Sequence, residues 1–261
     1  MKRKLLKIEK RLRFVISTAI ITVLFLFSTL FFFDKAFIFI PLLAFATYLL
    51  VYFSLLEEIE KIEWLMLFLM PIFFVISIYL FYFLYPGRWL TRMPITIFFA
   101  ISFYALLLCS NIFNVGVEKS LQLYRPAFSV SVFYQLITLF FIFQVIMSFH
   151  FNFIVNGLLI GGIGLIMAIY FFWSINPKLY LDQEVVKYSG FVSLLLTELA
   201  VLFSFIPINP SIFSLFHVAC YYVATGLVHA YLNRSLYKET IREYLIVFFI
   251  IFLIVLLTIK W

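Results

Sequence analysis

The sequence predicts an all-α protein, a polytopic transmembrane bundle of about nine spans (eight to ten) with its N-terminus in the cytoplasm. Composition is the first reason. Of 261 residues, 66% are hydrophobic and only 12% charged, and the mean hydropathy is +1.16. Soluble domains carry about 25% charged residues, so this chain cannot wet the surface of a water-soluble globule. The second reason is length. Apolar runs near the roughly 20 residues that cross a 30 Å hydrocarbon core recur along the whole chain. The third is spacing. The longest interval between runs, Ser174 to Gly190, is 17 residues. No soluble domain fits there, so residues 1–261 read as a single integral membrane domain, with a basic cytoplasmic segment at 1–13.

The spans follow in order. Phe14 to Phe33 has a basic flank but is too long for a signal peptide's apolar region, and no small-residue cleavage site follows, so it reads as uncleaved. Asp34-Lys35 turns into Ala36 to Leu56. Acidic Glu57 to Glu63 closes that hairpin before Trp64 to Tyr85. Pro86 to Pro94 punctuates the chain ahead of Ile95 to Val117. Arg125-Pro126 precedes Ala127 to Phe149, and His150 alone separates that from Phe151 to Trp173. A short seventh span, Phe191 to Ile208, comes after the polar interval. Asn209-Pro210-Ser211 turns into Ile212 to Asn233, and Tyr244 to Ile259 is the last and shortest. Pro41 and Pro71 fall inside spans and are expected to kink them.

Basic residues set the orientation. Seven of the 19 lie within the first 13 positions: Lys2, Arg3, Lys4, Lys7, Lys10, Arg11 and Arg13. With that tail inside, 15 basic residues face the cytoplasm and four (Lys35, Arg88, Arg92, Lys260) face out. The net charge of +7 thus marks anionic lipid headgroups rather than nucleic acid.

Ionisable and amide side chains inside spans are the candidate working parts, because burying them in hydrocarbon is expensive. Glu198 is the one acid or base well inside a span. Measured from Phe191 it lies roughly 10 Å from the cytoplasmic end. Asn111, Gln135 and His229 fall at comparable depth. Glu198 is therefore expected to face protein, near His229 or these amides, in an inner polar layer. Gln144, Asn156 and His217 would form an outer layer. Asn111, Asn114, Glu118, Gln122 and Arg125 are spaced 3, 4, 4 and 3 and would share one helical stripe, if the fourth helix runs on to Arg125 and stops at Pro126. The candidate ligand or polar-layer residues are thus Glu198, Asn111, Asn114, Gln135 and His229. Register-fixing hydrogen bonds between helices are the plainer explanation for all of them.

Other features point to packing. Gly157-Leu-Leu-Ile-Gly161 is a GxxxG match that admits a close neighbour, within the chain or from a second subunit. Arg88, Trp89 and Arg92 are candidate lipid-headgroup anchors at the outer interface. His217 and Cys220 share a face, but metal binding would need two more ligands, so no metal is assigned. Cys109 and Cys220 both lie in apolar runs and indicate no disulfide framework. The chain has no GxSxG, HExxH, P-loop or dinucleotide fingerprint. Glu57-Glu58 opens like the EExxxR of prenyl proteases, but Ile62 stands where Arg is due. No catalytic residue or cofactor is assigned.

Three segments carry a resemblance: Leu106-Leu107-Leu108-Cys109-Ser110-Asn111-Ile112-Phe113-Asn114-Val115 with Leu121 to Arg125, Gly87-Arg88-Trp89-Leu90-Thr91-Arg92, and Arg242-Glu243-Tyr244-Leu245. Together they resemble an uncharacterised family of multi-span membrane proteins from candidate-phyla (Patescibacteria-type) bacteria, from about the second span to the C-terminus. In that family the residue before the first Asn is often acidic, and Ser110 departs from the pattern. The resemblance implies a bacterial inner membrane location and no assigned activity.

The leading expectation is a non-enzymatic multi-pass protein acting by lateral association, with membrane lipids and another membrane protein as its partner classes. Nucleic acid and soluble-domain partners are not implied. A small-molecule or lipid carrier using a polar site around Glu198 is the second reading. An intramembrane enzyme, with His229 or Cys109 beside Glu198, is the third.

Overall fold

A computed structural model of the chain describes residues 9–31, 36–55, 64–84, 89–115, 121–178 and 180–258. Among the described residues there are nine α-helices: α1 (Lys10–Phe31), α2 (Ala36–Ser54), α3 (Trp64–Tyr82), α4 (Trp89–Val115), α5 (Leu121–Ser148), α6 (Phe153–Ile175), α7 (Gln183–Phe203), α8 (Pro210–Leu232) and α9 (Lys238–Thr258). All nine are long and apolar enough to cross a membrane. The chain is therefore an all-α, multi-pass integral membrane protein.

Several boundaries differ from expectation, and the differences share a cause. Hydropathy marks only the apolar part of a helix, whereas backbone hydrogen bonding extends it into polar flanks. α4 starts at Trp89 and carries Pro94 in its second turn. α9 is 21 residues rather than a marginal 16, because Lys238 to Glu243 form its first turns. α7 begins at Gln183, eight residues ahead of Phe191, and ends at Phe203. The expected helix stop at Pro126 is corrected: Gln122 and Arg125 belong to α5, which holds Pro126 inside its second turn. The stripe from Asn111 to Arg125 crosses residues 116–120, Glu118 among them, which lie outside the described residues.

The chain divides into two compact units, Met1–Gln135 with Pro177–Leu179 and Leu136–Asn176 with Tyr180–Trp261. In the first, α1 packs on α2, α2 on α3, α3 on α4 and α4 back on α1. Its centre is aromatic. Phe25 stacks on Phe99 at 4.6 Å between ring centroids, and Phe74 lies parallel to Phe99 at 6.2 Å. Hydroxyls tie neighbouring helices. Ser54 Oγ donates to Ser17 Oγ at 2.8 Å, and Ser110 Oγ donates to the Leu67 carbonyl at 3.2 Å. Arg13 belongs to this interior. It is fully buried rather than turned to headgroups. The reason is register: four-residue steps put Arg13 on one stripe with Ser17, Ile21 and Phe25, all buried.

In the second unit α6, α7 and α8 pack against one another and α9 lies on α8. Asn152 caps α6 by accepting from the Val155 N–H at 2.8 Å. Asn209 caps α8 through the Ser211 N–H at 3.0 Å, with Pro210 in the first turn, where its missing N–H costs nothing. His150 takes a left-handed conformation (φ 52°) and lets α5 turn directly toward α6.

Candidate functional site

The closest helix pair is built on glycine. α6 and α7 run antiparallel, and Gly157, Gly161 and Gly164 face Val201, Thr197 and Leu196. A Cβ on Gly157 would lie 2.8 Å from Val201 Cγ2, and one on Gly161 would overlap Thr197 Oγ1. Backbones meet here because no side chain intervenes. Ser193 Oγ uses that proximity to donate to the Gly161 carbonyl at 2.8 Å, and Thr197 Oγ1 donates to the Ser193 carbonyl at 2.8 Å. The GxxxG partner is thus an intramolecular helix.

Glu198 follows Thr197 and is carried off this interface. Both helices are right-handed, so in an antiparallel pair the residue after each contact position rotates by about 100° toward the same flank. Leu158 and Gly162 of α6 and Leu194, Glu198 and Leu202 of α7 occupy that flank, and all five are exposed. Nothing lies within 4 Å of the Gly162 Cβ position. Thr197, Glu198, Val201 and Leu202 border a shallow depression of about 380 Å³. α8 packs against α7, and Leu195 and Leu199 line a cleft that the two helices share. The expectation that Glu198 faces protein is therefore corrected, since its carboxyl lies on the outer surface of α7.

Its level is corrected too. Glu198 is five residues from the C-terminal end of α7, about 7.5 Å at the helical rise. That end adjoins the start of α6, where Asn156 Nδ2 donates to the Phe151 carbonyl at 3.1 Å and lies 3.4 Å from Ser204 Oγ. It also adjoins the start of α8, where Phe203 packs on Phe216 and His217. Gln144 Nε2 donates to Ser211 Oγ at 3.0 Å at the same end. Glu198 thus keeps company with Gln144, Asn156 and His217, the group expected on the other side. His229 is at the far end of α8. Its ring meets the edge of Phe171, and its Nε2 lies 2.7 Å from Asn233 Nδ2. The polar residues from Gln183 to Gly190 form the first turns of α7 and carry Glu198 toward its far end.

His217 is fully buried and its ring lies among Phe143, Phe203, Phe213 and Phe216. Nδ1 sits 2.9 Å from the Phe213 carbonyl one turn back, which makes Nδ1 the protonated nitrogen. No three of His, Cys, Asp and Glu gather as a metal-binding group among the described residues. In the first unit Asn114 and Gln135 are buried and Asn111 is half-buried. Of the headgroup candidates, Arg88 lies outside the described residues and Trp89 opens α4. Arg92 is half-buried in the first turn of α4.

A second feature had no signal strong enough to single out in the sequence. α7, α8 and α9 bound an apolar cleft of about 370 Å³, lined among others by Phe191, Leu195 and Leu199 of α7, Ala224 and Val228 of α8 and Phe248 of α9.

These features define a multi-pass integral membrane protein. The chain belongs to the family described as "Protein of unknown function (DUF5656)", whose profile matches residues 54–258. No curated protein and no solved structure matches it.

Proposed function

We propose that this protein acts without catalysis, by lateral association in the bilayer, and that its contact with another membrane protein is the flank of α6 and α7 bearing Glu198. The observation that carries this reading is the exposure of Glu198 on a helix long and apolar enough to span. An ionisable group facing hydrocarbon is costly, so such residues pair with one another or with other polar groups. Gly162 leaves open space on the same flank, which lets a second helix approach closely. The complementary partner is a transmembrane helix with a basic or amide side chain at the depth of Glu198. The location that goes with this reading is the bacterial inner membrane, with the N-terminus inside.

The alternatives need other geometry. A carrier would turn Glu198 toward an internal polar path, and an enzyme would place His229 beside it. The outward carboxyl and the distance along α8 to His229 favour association over both.

The test is photo-crosslinking in the source membranes from position 202, beside Glu198, and from position 253 on α9 as a control. The expected result is one product specific to position 202, lost in Glu198→Leu, whose captured partner bears a basic or amide residue within its span. Products common to both positions and indifferent to Glu198→Leu would overturn the reading.

A further inference from the structure

The cleft bounded by α7, α8 and α9 adjoins the Glu198 face of α7, since Phe191 and Leu195 lie seven and three residues before Glu198, but Glu198 is not among its lining residues. We propose that it holds one hydrocarbon chain of an anionic phospholipid, with the phosphate at the end where α7 begins and α8 ends.

The lining sets the class of occupant. Phe191, Leu195 and Leu199 are four apart and form one stripe of α7, facing Ala224 and Val228 across the cleft. From Phe191 to Leu199 the wall runs about 12 Å along the helix. The cleft is inside candidate spans, so its occupant comes from the bilayer. A single hydrocarbon tail, thinner than a helix, suits an apolar cleft of about 370 Å³.

The mouth sets the headgroup. One four-residue step outward from Phe191 on the same stripe is Lys187, which is exposed. On α8 the stripe continues past Val228 to Tyr231, which pairs with Tyr188 at 6.4 Å, and exposed Arg234 follows two residues after the helix ends at Leu232. Glu184, the nearest acid along α7, is almost a full turn farther out than Lys187. A tail in the cleft would therefore bring its phosphate to Lys187 and Arg234, with two tyrosines between charge and hydrocarbon. Interfacial Tyr and a basic residue beside a phosphate follow the ordinary preferences of membrane proteins.

Native mass spectrometry of the full chain, released from nanodiscs holding equal phosphatidylglycerol and phosphatidylcholine of identical chains, tests this. The expected result is one retained phosphatidylglycerol in clear excess over phosphatidylcholine. Each basic residue near a phosphate should contribute about fivefold to the preference, so Lys187→Gln with Arg234→Gln should remove most of it. Ala224→Phe fills the cleft and should abolish retention of both lipids, while soluble glycerol phosphate, lacking a tail, should not be retained by any form. If Ala224→Phe does not fold, Val228→Phe at the mouth reads the same effect. Equal retention of the two lipids by the unmodified chain would overturn the headgroup assignment, and undiminished retention by a folded cleft-filling variant would overturn the site.

Discussion

Ser193 donates its hydroxyl to the backbone carbonyl of Gly161 at 2.8 Å, across the antiparallel pair α6 and α7. Without a hydrophobic driving force between helices in lipid, close packing and such hydrogen bonds hold them together. The glycine is what permits the contact, because any Cβ there would overlap Thr197 Oγ1.

Gly161→Ala should therefore destabilise the protein by about 1–3 kcal/mol, the range for overpacked interiors. Thr197→Ala in the same chain should restore part of the loss by removing the overlapping atom. Gly162→Ala, with nothing within 4 Å of its Cβ position, should be close to neutral. Thermal unfolding in detergent compares the three. Equal damage from Gly161→Ala and Gly162→Ala would contradict the packing described.

His217 behaves here as an aromatic ring of the interior, stacked on Phe213 at 3.9 Å between centroids. His217→Phe should be nearly neutral or stabilising, since it swaps a buried polar ring for an apolar one of similar shape. His217→Ala should cost about 3–5 kcal/mol by leaving a cavity. Thermal unfolding again decides, and a Phe variant as unstable as the Ala variant would show that the imidazole does something the packing does not explain.

The Asn152 cap should contribute about 1 kcal/mol through the α6 N-terminus, so Asn152→Ala should lower the unfolding midpoint, while Asn152→Asp should retain it. Ser211→Ala, which removes the hydroxyl reached by Gln144, should cost about 0.6 kcal/mol, the average for hydrogen bonds between membrane helices.

These contacts show which parts of the molecule its residues announce. Nine helices are visible in the apolar runs, and the glycine spacing in α6 announces a close neighbour. That the neighbour is α7 is not visible, because Ser193 and Thr197 are ordinary span residues whose role depends on register. Glu198 stands out in the sequence as an ionisable residue within a span, but neither its depth nor its direction is legible there. The first two turns of α7 are polar, so hydropathy starts the helix eight residues late. The side it faces depends on where Gly161 sits opposite. Arg13 fails for a related reason, since charge placed it at the headgroups while its stripe with Ser17 and Ile21 carries it inside.

The outward carboxyl of Glu198 and its cover by a partner can be tested together with a membrane-permeant carbodiimide, which modifies carboxyl groups in hydrocarbon. The expected result is modification at Glu198 in the purified, reconstituted chain and protection in the source membranes. Resistance in both settings would place the side chain inside the protein, and equal modification in both would show that nothing covers it.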